Sequence, residues 1–123
     1  MPSFRIFKST TLPDADRAVA SGSTYYSDKF QLRGKPVSLH IFADDAGATL
    51  AGTTTLWLSN KTNPSTANDN DWVQETWTAP TIAGGDVKFF SHLVDKVALH
   101  ARLKFVCSAG AGTLGCDVNA SEG

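Results

Sequence analysis

His40, His92 and His100 are the three histidines of the chain, and a metal site or a general base would draw on them first. None has a cysteine, a carboxylate or a second histidine at the spacing of a familiar ligand set. His40 and His100 fall on the polar phase of strand-like runs and His92 falls in a connector, so all three read as surface side chains. Asn68-Asp69-Asn70-Asp71 gathers two carboxylates and two amides. Such an oxygen-rich loop is the donor type that calcium takes, with about six to eight ligands. The glycine and distal glutamate of an EF-hand loop are missing, however. A solvated turn capping a strand at Trp72 uses the same side chains as local hydrogen-bond partners and is the preferred reading. No serine lies in Gly-x-Ser-x-Gly, and neither Cys107 nor Cys116 has a recognisable base beside it. Gly84-Gly85 and Gly110-Ala111-Gly112 lack the strand-to-helix setting of a phosphate loop and read as turns. Asn60-Lys61-Thr62 and Asn119-Ala120-Ser121 match the glycosylation sequon by chance, since no secretory signal is expected at Met1 to Lys8. No acid, base and nucleophile converge. The expectation is a protein that is not an enzyme, with no catalytic residue, no metal and no cofactor.

The aromatic residues carry more weight. Trp57 lies between Leu56 and Leu58 on one strand, so one face of that strand takes the indole. Phe42 opposes the phase of Leu39 and Ile41, and Trp72 and Trp77 have opposite parity. Large apolar groups therefore point away from a single core. Each either lies under a loop or joins an exposed patch, and such a patch marks a partner surface. With Phe4, Ile6 and Phe7 of the N-terminal segment, the candidate partner contacts are Phe4, Ile6, Phe7, Phe42, Trp57, Trp72 and Trp77.

The elements that would position these residues are strands. At 123 residues the chain is one domain, and 41% hydrophobic with 19% charged residues is ordinary for a folded domain. Val37, Leu39 and Ile41 alternate with Ser38, His40 and Phe42. Thr53 to Ser59 is rich in β-branched and aromatic residues, and Trp72 to Thr78 resumes a strand. Asp16 to Ala20 reads as a helical turn or plain loop, and Asn60 to Asp71 as a long exposed polar loop of the kind that is often functional. Leu99, Ala101, Leu103, Phe105 and Cys107 share one phase, with His100, Arg102 and Lys104 on the other. The glycines at 110 and 112 suit a tight turn, predicting a closing hairpin with Cys107 opposite Cys116 on its buried face. Two reduced core thiols are preferred to a bridge.

Seven or eight strands with no covering helix predict an all-β fold, a single antiparallel β-sandwich of jelly-roll type. Residues 1–12 form an N-terminal arm or edge strand, 13–119 the sandwich, and 120–123 a frayed tail. Net charge is −1 and the 11 basic residues are scattered. That excludes the basic stripe of a nucleic-acid binder and gives no reason to invoke a membrane.

Three pieces together resemble a known group. They are Tyr26-Ser-Asp-Lys-Phe30-Gln-Leu-Arg-Gly34; Thr54-Thr-Leu-Trp-Leu-Ser-Asn60 followed by Trp72; and Ala101-Arg-Leu-Lys-Phe105 running into Ser108-Ala-Gly-Ala-Gly112-Thr-Leu114. Their order, over about residues 25 to 118, is similar to that in small β-sandwich virion proteins of tailed bacteriophages, especially capsid decoration (cement) proteins. The resemblance implies a structural protein on the capsid surface, made in the host bacterial cytoplasm. It would bind the major capsid protein and itself, as a homodimer or homotrimer, and carry no active site. Residues 1–12 could clamp a neighbour. Other readings are a tail, neck or fibre component, and a carbohydrate-binding sandwich that stacks sugars on Trp57, Trp72 or Trp77.

Overall fold

A computed structural model describes residues 3–7, 17–32, 37–44, 50–77, 81–83, 87–93 and 98–120. Most of these residues are strand: β1 (Ser3–Phe7), β2 (Arg17–Ala20), β3 (Thr24–Tyr26), β4 (Phe30–Gln31), β5 (Val37–Asp44), β6 (Ala51–Ser59), β7 (Val73–Glu75), β8 (Thr81–Ala83), β9 (Val87–Leu93), β10 (His100–Ala109) and β11 (Ala111–Ala120). They form two antiparallel sheets, and the all-β sandwich predicted from the sequence is what the chain adopts. In sheet A, β1 and β2 lie end to end along one edge of β11, and β5 and β9 follow on the other. In sheet B, β3 and β4 share one edge of β10; β6 takes the other, and is itself flanked by β7 and β8.

Alternation of side chains explains why the sheets face each other. Along β5, Val37, Leu39, Ile41 and Ala43 are buried while Ser38, His40, Phe42 and Asp44 point outward. Leu56 of β6, Leu103 and Phe105 of β10, and Leu114 and Val118 of β11 complete the same core. Burying such side chains contributes about 1.5–3 kcal/mol each. Close packing also dictates Gly52: a Cβ there would run into the Phe105 ring and lie 2.6 Å from the Val106 carbonyl oxygen.

Several local expectations are corrected. Residues 100–120 are not a hairpin. Gly110 takes φ 72°, and the chain crosses there from sheet B to sheet A. Both edges of β10 and both edges of β11 are already occupied by other strands, so the two cannot pair with each other. Cys107 sits opposite Gly52 and Cys116 opposite Ile41. Both thiols are free and buried, and burial pushes that of Cys116 far above its usual range. Leu99 precedes β10 and is 47% exposed rather than a core residue. Arg17–Ala20 is a strand, because β11 offers it an edge, and His92 lies within β9 opposite Ser38. Ser3–Phe7 is an edge strand whose Ile6 is buried in the protein's own core, so Ile6 is not available to a neighbour.

Candidate functional site

The outer face of sheet B departs most from the sequence reading. On β10 this face carries His100, Arg102 and Lys104, whose register partners on β6 are Ser59, Trp57 and Thr55. Tyr26 of β3 stands on the far side of Lys104. A row of this kind belongs in solvent by composition. Instead the segment 60–72 folds back over it, and Arg102 is completely buried.

Arg102 occupies a box of rings. Its guanidinium lies 4.8 Å from the ring centre of Tyr26, 5.2 Å from Trp57 and 5.0 Å from Trp72. Aromatic faces attract a cation, by about 0.5–2 kcal/mol each depending on desolvation. Nη1 donates to the Thr66 carbonyl and Nη2 to Oδ1 of Asp69. The other carboxylate oxygen of Asp69 accepts from Lys104 Nζ at 2.6 Å, and that ammonium lies 5.1 Å from Trp57. Asp69 is thus the keystone between two cations. The Lys104 hydrogen bond first, and the Arg102 hydrogen bond second, hold its carboxyl below the usual carboxylate range. A buried charge is tolerated only when it is paired and hydrogen-bonded.

The rest of the loop is tied down by its own polar groups. Asp71 accepts from Lys61 Nζ at 2.8 Å and from the Ser65 amide at 2.8 Å, and these two bonds, the Lys61 one foremost, lower its pKa. Trp72 Nε1 donates to the Ser65 carbonyl at 2.7 Å. Asn68 caps the 3-10 turn Asp69–Asp71 by accepting from the Asn70 amide. Sheet B contributes at its margins. Lys29 donates to Asn63 and to the Pro64 carbonyl, and the Leu99 amide donates to Asn60 Oδ1. The Nε2 of His100 lies 3.2 Å from the Thr62 carbonyl. A carbonyl only accepts, so Nε2 carries the hydrogen. His100 is therefore a buried anchor rather than a surface histidine, while His40 is exposed as expected.

The Asn68–Asp71 cluster is a capped turn. Both of its carboxylates are turned to basic side chains, and no group of three or more metal-ligating side chains occurs among the described residues. Beside it, loop and sheet border an open cleft of about 590 Å³ lined by Leu58, Asn60, Lys61, Asp71, Trp72 and Val73, among others. Val73, on edge strand β7, is 73% exposed. The cleft is of a size that holds small ligands.

The structure separates the seven candidate contact residues. Trp57 does point away from the sandwich core, but it is half-buried under the loop against Arg102 and Lys104. Trp72 is 5% exposed, so the exposed-patch alternative fails for it: its ring is turned to Arg102. Trp77 packs against the main core. Phe42 is half-buried on the outer face of sheet A, edge-on to His40 at 5.3 Å. Ile6 is buried, and the side chains of Phe4 and Phe7 lie outside the described residues. The three tryptophans thus form no common platform. Sequence reasoning missed Arg102 and Asp69. The available signal was an outward-facing tryptophan opposite an arginine, with a polar loop ending in a second tryptophan. Among the described residues no helix is long and apolar enough to cross a membrane. Compared with known proteins, the chain matches no family model and no curated sequence.

Proposed function

We propose that this protein is a non-enzymatic structural protein of a phage virion. In this reading it decorates the capsid and stabilises it by binding major capsid protein subunits, as a homodimer or homotrimer. The observation that carries the reading is the winding of the chain. With end-to-end segments counted as one strand, eight strand positions remain, and the sheets run 1-8-3-6 and 2-7-4-5. Neighbours 1-8, 2-7, 3-6 and 4-5 are the pairs obtained by rolling up one long antiparallel ribbon. We read this as a jelly-roll-like order, an architecture found among viral capsid domains. The three sequence pieces resembling decoration proteins point the same way.

The polar groups of the loop also support a scaffold role. Arg102, Lys104, Asp69, Lys61 and Asp71 are engaged with one another, which fixes a surface but leaves no acid–base pair converging on a substrate. A protein that binds only the assembled lattice stabilises it by mass action. Purified heads lacking the protein are the test. Adding it back should give saturable binding and raise the temperature at which heads open; heads that neither bind it nor gain stability contradict the proposal.

A further inference from the structure

Segment 60–72 is held differently from the rest of the protein. No residue of it belongs to the core between the sheets. Pro64 and Trp72 are its only buried side chains, and most of its other residues are exposed. Its attachment to sheet B runs through Asp69, Asn60, Asn63, the carbonyls of Thr62, Pro64 and Thr66, and the Trp72 ring. A segment with few apolar anchors and a polar attachment opens at lower cost than the core it covers.

We propose that segment 60–72 is an acid-opened latch, which lifts from the outer face of β10 as a unit while the two sheets stay paired. Opening uncovers Trp57 and Tyr26, and it dismantles the cleft, because Asn60, Lys61, Asp71 and Trp72 are walls supplied by the segment itself. The charge balance at Asp69 drives the change. Facing it from β10 are Arg102 and Lys104, with His100 further along the same face; Tyr26 faces the two cations from β3. The connection between β3 and β4 adds Lys29, and the segment itself adds Lys61 and Asp71. Arginine stays charged at any accessible pH. Neutralising Asp69 therefore leaves a buried guanidinium without its counter-ion, and opening returns Arg102 to water. Because pairing lowers the Asp69 pKa, its contribution is present above the ordinary carboxylate range. It is lost as pH falls through the lowered value. Asp71 pairs only within the segment, with Lys61 and Ser65, so its protonation loosens the latch itself and not its hold on β10.

Hydrogen exchange tests this on the full chain. The Leu99 amide donates to Asn60 Oδ1 and the Lys61 amide to Ser59 Oγ, so both bonds join the segment to the sheet; Leu39, Ile41 and Cys116 report on sheet A. In Asp69→Asn at neutral pH, protection at the first set should fall about tenfold or more with the second set unchanged. Loss of both sets together, or no loss at the first, overturns the latch. If Asp69→Asn does not fold, wild-type protein at descending pH decides. Segment amides losing protection at a higher pH than sheet amides support the proposal, and simultaneous loss refutes it.

Discussion

The outer faces of the two sheets begin from similar material and end differently. On sheet A, β5 presents Ser38, His40, Phe42 and Asp44, and the face is polar, with His40 and Asp44 exposed. On sheet B, β10 presents His100, Arg102 and Lys104, yet Arg102 is as inaccessible as Leu103 on the opposite side of the same strand. Composition does not separate the two rows. What differs is the chain that follows the neighbouring strand. After β6 a polar segment returns with one carboxylate, Asp69, and one indole, Trp72, placed to pair and enclose the arginine. A cationic row becomes a small second core once its charge is matched and its flanks are aromatic.

Substitutions can break or sharpen this contrast. The largest effect is expected at Arg102→Ala, which empties the aromatic box and leaves Asp69 with Lys104 alone. Urea unfolding should show a loss of about 2–3 kcal/mol, near that of a buried aliphatic truncation. Arg102→Met keeps the volume among the rings and should recover most of that loss, since apolar replacement of a buried ion is often neutral. Asp69→Asn comes next, at about 1 kcal/mol, limited by the segment's freedom to open. Its stability curve should flatten at acid pH, because the variant has no carboxylate there to titrate. Lys61→Ala removes an exposed partner of Asp71 and should leave the urea midpoint close to that of wild type. On the comparison face, Ser38→Ala should stay within about 0.5 kcal/mol of wild type. A Ser38→Ala loss as large as that of Arg102→Ala would erase the distinction between the faces.

The sandwich was legible because its inner faces obey a period of two: Val37, Leu39 and Ile41 on β5, and Ala101, Leu103, Phe105 and Cys107 on β10, are buried as their phase predicts. Strand partners were less legible. Periodicity says which face is buried and nothing about which edge is paired, so Gly110-Ala111-Gly112 suited a hairpin as well as the crossing that occurs. Burial of Arg102 lay further out of reach, since Asp69 stands 33 residues away in the chain. Residue type sends an arginine to solvent unless its counter-ion is known. Trp57 and Trp72 did signal that large rings turn outward; whether a loop or a partner covers them is decided by contacts of that long range.

The side-chain Nε–H of Arg102 reports on the central feature directly. The group is buried, lies among three rings and has no hydrogen-bond partner among the described residues. In a proton–nitrogen correlation spectrum at neutral pH it should persist, protected from exchange with water and shifted upfield by the ring currents of Tyr26, Trp57 and Trp72. An Arg102 Nε–H that exchanges as fast as a solvent-exposed arginine and resonates at the unstructured position would contradict a second core on the outer face of sheet B.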